Sequence, residues 1–263
     1  MIKITDTVKH LIIINVLFWI ATLVLVKNGI DLNAIFSMHF PLNNEFKIWQ
    51  VITHMFMHAS YVNFGNGPSI FFLHIFSNML GLWMFGSAVE KNLGKTKFLF
   101  LYFSCGLGAM ILPLIIDYVN FYSIISPLIE NGLDTQMLTS IMNEGKYNPE
   151  WSNIVGEDNW LKVSRIFYQE SLGASGCIMG LLVAFGMMYP NSELMLLFLP
   201  IPIKAKVFIP LLLAYEIYSG IAGGSSIFGF NVGHFAHIGG AIVGFIIIWY
   251  WRKTQFNKNR WDR

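Results

Sequence analysis

Long apolar stretches separated by short polar ones dominate this chain, on a scale coarser than the alternation of an amphipathic helix or strand. Six runs, at about 10–27, 70–88, 98–116, 172–189, 198–219 and 235–251, are apolar over the length, or nearly the length, that a helix needs to cross a bilayer. The pattern predicts an all-α polytopic membrane protein, a bundle of six transmembrane helices. Lys3 and Lys9 precede the first run as they would in a signal peptide. Lys27-Asn28-Gly29 is not a small-residue cleavage site, so a retained anchor is expected.

Composition agrees: 55% of residues are apolar and 12% charged, which favours a polytopic membrane protein over a soluble domain. A net charge of +2 without a dense basic run gives no reason to expect a nucleic-acid partner. Cys105 and Cys177 both fall within spans and read as small packing residues rather than a disulfide. With the N-terminus inside, twelve of the seventeen Lys and Arg lie on the inner side. The positive-inside rule then puts both termini in the cytoplasm, in a multi-pass protein of the cell membrane.

That orientation makes spans two, four and six run from outside to inside. Their N-terminal portions carry His74 and Asn78, Ser175, and His237. At about 1.5 Å of rise per residue, these lie within about 12 Å of their helix starts and can share one layer below the outer surface. Ionisable residues inside a membrane are costly and mark functional sites by default. A glycine-flanked hydroxyl and a histidine at one depth suggest nucleophile and general base. Gly173, Gly176, Gly180 and Ala184 on span four, and Ala236, Gly240 and Gly244 on span six, form the small-residue stripes that let membrane helices approach closely.

At these residues the sequence resembles the rhomboid family of intramembrane serine proteases. Gly173-Ala174-Ser175-Gly176 is similar to its nucleophile motif, and Ala236-His237-Ile238-Gly239-Gly240 with Gly244 to its last core helix. His74-Ile75-Phe76-Ser77-Asn78 is similar to its motif on span two, and Gly86 to Gly94 to the segment that follows. The resemblance runs from about Trp49 to Trp251. It implies a hydrolase that cuts peptide bonds in or near the transmembrane segments of other proteins, with a Ser175–His237 dyad. His74 and Asn78 would donate to the oxyanion, joined by the Ser175 backbone N–H. It implies no cofactor and no metal. The partners it implies are transmembrane substrates and the lipid bilayer, and it leaves the oligomeric state open. Two alternatives are a rhomboid-like pseudoprotease that binds clients without cutting, against which Ser175 and His237 argue, and a small transporter, for which paired intramembrane charges are missing.

Several features depart from the family pattern. Gln50 follows Trp49 where the family often has Arg, which removes the usual charged loop anchor. About a dozen extra residues lie around Tyr61 to Phe71. Met179 stands where a Tyr often packs on the catalytic imidazole. Residues 1–263 read as a single membrane domain with outer insertions at about 28–69 and 117–170. The first is aromatic and suited to the membrane interface. The second carries net charge −5 and reads as a solvated accessory loop. His54 and His58 have zinc-compatible spacing but lack the H-E-x-x-H glutamate, so they read as structural. Glu216 on span five reads as a polar contact between helices rather than a third catalytic residue. The glycine-rich segment Gly220 to Phe230 is a candidate lid.

Overall fold

The computed structural model describes residues 3–63, 68–196, 199–223 and 233–258. Five of its helical segments are long and apolar enough to cross a membrane: Asp6–Asn28, Phe72–Leu93, Lys95–Glu130, Ala205–Ala222 and His234–Thr254. A sixth apolar helix, Ser175–Met188, is shorter. The chain is a multi-pass integral membrane protein of all-α architecture. Large apolar side chains such as Leu17, Phe100, Ile115, Leu211 and Phe245 remain exposed on the spans, as a lipid-facing surface requires.

In chain order the first span is α1 (Asp6–Leu25), followed by the short outer helices α2 (Leu32–Phe36) and α3 (Gln50–Thr53). A small hairpin, β1 (Tyr61–Asn63) with β2 (Pro68–Ile70), leads into α4 (Phe72–Gly81). A π-turn at Leu82–Gly86 joins α4 to α5 (Ser87–Leu93) within the second span. The third span is α6 (Lys95–Glu130), followed by α7 (Thr135–Asn143), α8 (Pro149–Val155) and α9 (Glu157–Tyr168). The central helix α10 (Ser175–Met188) precedes a second hairpin, β3 (Glu193–Leu196) with β4 (Leu199–Lys204). Last come α11 (Ala205–Ala222) and α12 (His234–Lys258).

The bundle is built around α10, buried along most of its length from Gly176 to Phe185. A helix apolar on every side belongs in such a position. The small-residue stripes meet as their spacing predicts. A Cβ on Gly240 would lie 2.0 Å from Gly176 O, and one on Gly244 2.6 Å from Gly180 O. α6 joins the same contact, because a Cβ on Gly239 would lie 2.2 Å from Gly108 O. Backbone therefore packs on backbone at the meeting of α6, α10 and α12. At the opposite end, Glu90 on α5 accepts from Thr5 Oγ1 and from Val8 N at 3.1 Å, capping α1. The carboxylate satisfies exposed helix N–H groups and complements the positive end of the dipole.

Three boundaries differ from the sequence expectation. The fifth span begins at Ala205 rather than 198, since Glu193–Leu196 and Leu199–Lys204 pair as antiparallel strands. Pro200 and Pro202 lack the N–H groups that a helix interior needs and restrict the residues before them. The third span does not end at 116: α6 runs on to Glu130, 36 residues in all or about 54 Å, well beyond a hydrocarbon core of about 30 Å. The third difference is the solvated loop expected at 117–170, which is instead a folded helical unit. Phe121, Ile125 and Leu128 on one face of α6 bury against Leu138, Met142, Trp151, Trp160, Val163 and Phe167. Spacings of four and three residues place the α6 side chains on a single stripe. The rings of Trp151 and Trp160 lie 5.5 Å apart within this second core.

The outer segment between α1 and α4 is held without the Arg that the family pattern favours. Gln50 is fully buried. Its Nε2 donates to Glu45 O at 2.8 Å and Ile35 O at 3.2 Å, and its Oε1 accepts from Lys47 N at 3.1 Å and His39 N at 3.4 Å. A neutral amide, donor and acceptor at once, does the anchoring. Phe40 of this segment sits in the outer core, while Ile48 and Trp49 are exposed, as an interfacial seat predicts.

Candidate active site

Three helices, α4, α10 and α12, converge near their N-terminal ends. Ser175 is the first residue of α10, and the turn before it uses Gly173 at φ 121°, a conformation that L side chains rarely adopt. Gly173 N donates to His54 O at 2.9 Å, tying this turn to the end of α3. His237 lies in the first turn of α12, and its Nε2 is 2.9 Å from Ser175 Oγ across a separation of 62 residues. The backbone contacts of Gly176 with Gly240 bring the two helices close enough for that hydrogen bond.

His74 on α4 completes one side. Its Nδ1 accepts from Ala59 N at 3.1 Å, so the neutral ring carries its proton on Nε2. Nε2 and Cε1 lie 3.5 Å from the Cβ position of Gly173, against the turn that presents Ser175. His74 thus faces the turn that presents Ser175, in the tautomer that donates from Nε2. Asn78, one turn further, is buried and gives one amide hydrogen to His74 O at 2.8 Å, while its Oδ1 has no hydrogen-bond partner. The structure brings Ser175, His237 and His74 together. It places Asn78 immediately behind His74, bonded along its own helix.

Glu216 makes the polar contact between helices that the sequence suggested, and one more. Its Oε2 lies 2.7 Å from His234 Nδ1, and the same oxygen is 3.1 Å from Nδ1 of His237. Both His residues project from one face of α12, three positions apart. Glu216 therefore lies against His237 as well as His234. The signal that could have revealed it is the intramembrane carboxylate itself, which demands a partner, and two histidines stood on the next span.

The remaining histidines have separate duties. His54 Nδ1 meets Gln50 O at 2.8 Å within its own turn of helix, and His58 Nε2 meets Asn15 Oδ1 at 2.8 Å, which ties this segment to α1. Burial lowers both of their pKa values, His58 to about 3 with His74 contributing, which keeps these rings neutral. Cys105 and Cys177 are free and buried, and Met179 is buried in the main core. Most of the candidate lid, Gly224 to Phe230, lies outside the described residues, as do residues 64–67 of the Tyr61–Phe71 insertion.

Comparison with known proteins fits this arrangement. The chain matches the Rhomboid domain over residues 45–129 and 152–254, so the break falls inside the outer helical unit. It is 24% identical over 183 residues to "Rhomboid protein 1, mitochondrial" of Saccharomyces cerevisiae, covering 70% of this chain and 39% of that one. It is 27% identical over 228 residues to "RHOMBOID-like protein 12, mitochondrial" of Arabidopsis thaliana, covering 84% and 54%. A 53-residue stretch is 40% identical to "Rhomboid protease GlpG" of Salmonella newport, covering 20% of this chain and 15% of that one. The matches span about half or less of the length of these relatives. With a domain match across well over half of its residues, and with its motifs meeting at one point in a helical membrane bundle, the chain belongs to the rhomboid family.

Proposed function

We propose that the protein is an intramembrane serine endopeptidase that hydrolyses peptide bonds in or near the transmembrane segments of other membrane proteins. The observation that carries this reading is the 2.9 Å contact between Ser175 Oγ and His237 Nε2 inside an apolar bundle. Ser175 Oγ attacks the carbonyl carbon while His237 Nε2 takes its proton. The tetrahedral oxyanion forms beside His74 Nε2–H and the Ser175 backbone N–H, with Asn78 offering its second amide hydrogen. Donors fixed in advance in a site of low dielectric stabilise charge as it develops. His237 then protonates the leaving amine, and the acyl-enzyme is released by water entering from the outer side.

We place the protein in the cell membrane with both termini in the cytoplasm; the concentration of Lys and Arg on one set of loops supports that orientation. Reporter tags at the two termini, read by protease accessibility, test it. The remaining outline is a single membrane domain over residues 1–263, with insertions at about 28–69 and 117–170.

The decisive experiment combines labelling with cleavage. A fluorophosphonate probe should label the purified protein at Ser175. Ser175→Ala and His237→Ala should each reduce cleavage of a transmembrane substrate to background, with the double variant little worse than either alone. Undiminished cleavage by Ser175→Ala would overturn the proposal.

A further inference from the structure

We propose that Glu216 is a positioning residue for His237, making the reactive unit Ser175–His237–Glu216 rather than a dyad. The inference rests on the proposed protease reading and extends it to a residue on a different helix. It begins with burial. The inward face of α11 carries Ala205, Ile209, Glu216 and Ser219, while the adjacent Ile217 and Tyr218 are exposed on the outer face. The carboxylate thus points into the bundle, where an uncompensated charge is costly.

Contact with His234 at 2.7 Å would by itself justify a buried carboxylate, and a purely structural role is the rival explanation. The atoms of His237 argue for more. Its Nε2 faces Ser175 Oγ at 2.9 Å, and to accept the serine proton Nε2 must be unprotonated. The neutral ring must then carry its hydrogen on Nδ1. That atom is buried and makes no aligned hydrogen bond, yet Glu216 Oε2 lies 3.1 Å from it. A small rotation of the imidazole or the carboxylate would align the pair. The cost of leaving the Nδ1 hydrogen unpaired favours that adjustment.

The arrangement divides the work between two histidines. His234 steadies the carboxylate from one side, and Glu216 selects the tautomer of His237 from the other. When Nε2 takes the serine proton, the ring becomes an imidazolium next to a carboxylate that remains ionised. The proton taken from Ser175 resides on Nε2 and is returned from Nε2 to the leaving amine, so Glu216 gains and loses no proton. This assigns Glu216 the orienting and charge-stabilising role that a buried carboxylate plays in triads on unrelated folds.

Glu216→Gln tests the charge at nearly constant volume, leaving an acceptor for His234. It should lower kcat by about 10²–10⁴-fold with little change in KM or unfolding temperature, because the amide can hold the wrong tautomer and cannot stabilise the imidazolium. Glu216→Asp, which restores the charge, should recover part of the loss. If Glu216→Gln retains full kcat, or if its loss follows reduced thermal stability and Glu216→Asp gives no recovery, Glu216 is only interhelical packing. A second measurement needs no variant of Glu216. In ¹⁵N spectra of histidine-labelled protein, with His237 assigned through His237→Ala, its neutral ring should be protonated on Nδ1. Protonation on Nε2 would overturn the proposal. Fluorophosphonate labelling of the unaltered protein separates the two ideas. Absence of labelling at Ser175 removes the underlying protease reading, whereas normal labelling with an unchanged Glu216→Gln kcat removes only the role of Glu216.

Discussion

α6 runs through two surroundings and packs differently in each. In its membrane half, Gly108 lies so close to α12 that a Cβ there would come within 2.8 Å of Gly239 O. In its outer third, Phe121, Ile125 and Leu128 pack against Leu138, Trp151, Trp160 and Phe167. The difference follows from the solvent. Lipid is as apolar as leucine, so helices gain by close approach of backbones and small residues. Water rewards buried area, so the outer unit uses large rings on short amphipathic helices. Close approach also fixes the position of Ser175 relative to His237, whereas the outer core holds α7, α8 and α9 to the end of α6. Precision at the site should therefore be sensitive to methyl-sized changes in the first region and tolerant of larger losses in the second.

The largest effect should come from Gly240→Val. Its side chain would meet Gly176 O, a backbone atom that cannot turn aside, so α10 and α12 must separate. Cleavage should fall to background and the unfolding temperature in detergent should drop. Retained activity would show that the helix contact does not set the spacing of the site. Next, His74→Ala should reduce turnover by about 10²–10³-fold if it supplies a full oxyanion donor, with the unfolding temperature little changed. Asn78→Ala tests its neighbour in the same way. A stability loss without a turnover loss would make Asn78 a packing residue.

Trp160→Ala probes the other side of the comparison. Removing a buried Trp costs about 3–5 kcal/mol, here borne by the outer unit. Hydrogen exchange should accelerate in α8 and α9 while the amides of α10 and α12 stay protected, and cleavage of a short transmembrane peptide should persist. Equal acceleration in both regions would show that the two cores unfold as one. The smallest effect concerns acid. The unfolded His58 titrates near 6.5, whereas in the fold burial brings it to about 3. The unfolded chain therefore binds the extra proton between those values. The stability that His58 contributes is complete above about pH 6.5 and is lost progressively as pH falls towards 3. His58→Gln should flatten that part of the plot of unfolding temperature against pH, and an unchanged slope would assign it elsewhere.

Much of this was legible in the sequence because a bilayer imposes a strong pattern. A span must be long and apolar, and a polar residue within it is conspicuous, so Ser175, His74 and His237 stood out at matching depths. The bundle and the family followed from the same residues. Less legible were features whose partners lie far away along the chain. Glu216 advertised a need for compensation but not which histidine meets it. Gln50 looked like a lost anchor because its four hydrogen bonds come from residues whose positions only the fold supplies. The outer unit was hidden because α7, α8 and α9 are short and rich in polar residues. Even so, Asn148-Pro149 carried a start signal, an Asn cap whose side chain accepts from Glu150 N, followed by Pro at the first helical position.

The shortness of α10 has a bearing on how the protein would respond to its membrane. Fourteen residues extend about 21 Å, roughly 9 Å less than a typical hydrocarbon core. Under the proposed protease reading, a helix this short would hold Ser175 at the bottom of a well in the bilayer, down which a peptide and a water molecule would both have to travel. Thickness of the bilayer would then become a rate variable in its own right. Longer acyl chains would deepen the well and slow entry, and shorter ones would raise the site towards the surface, so one sequence could run at different speeds in membranes of different lipid.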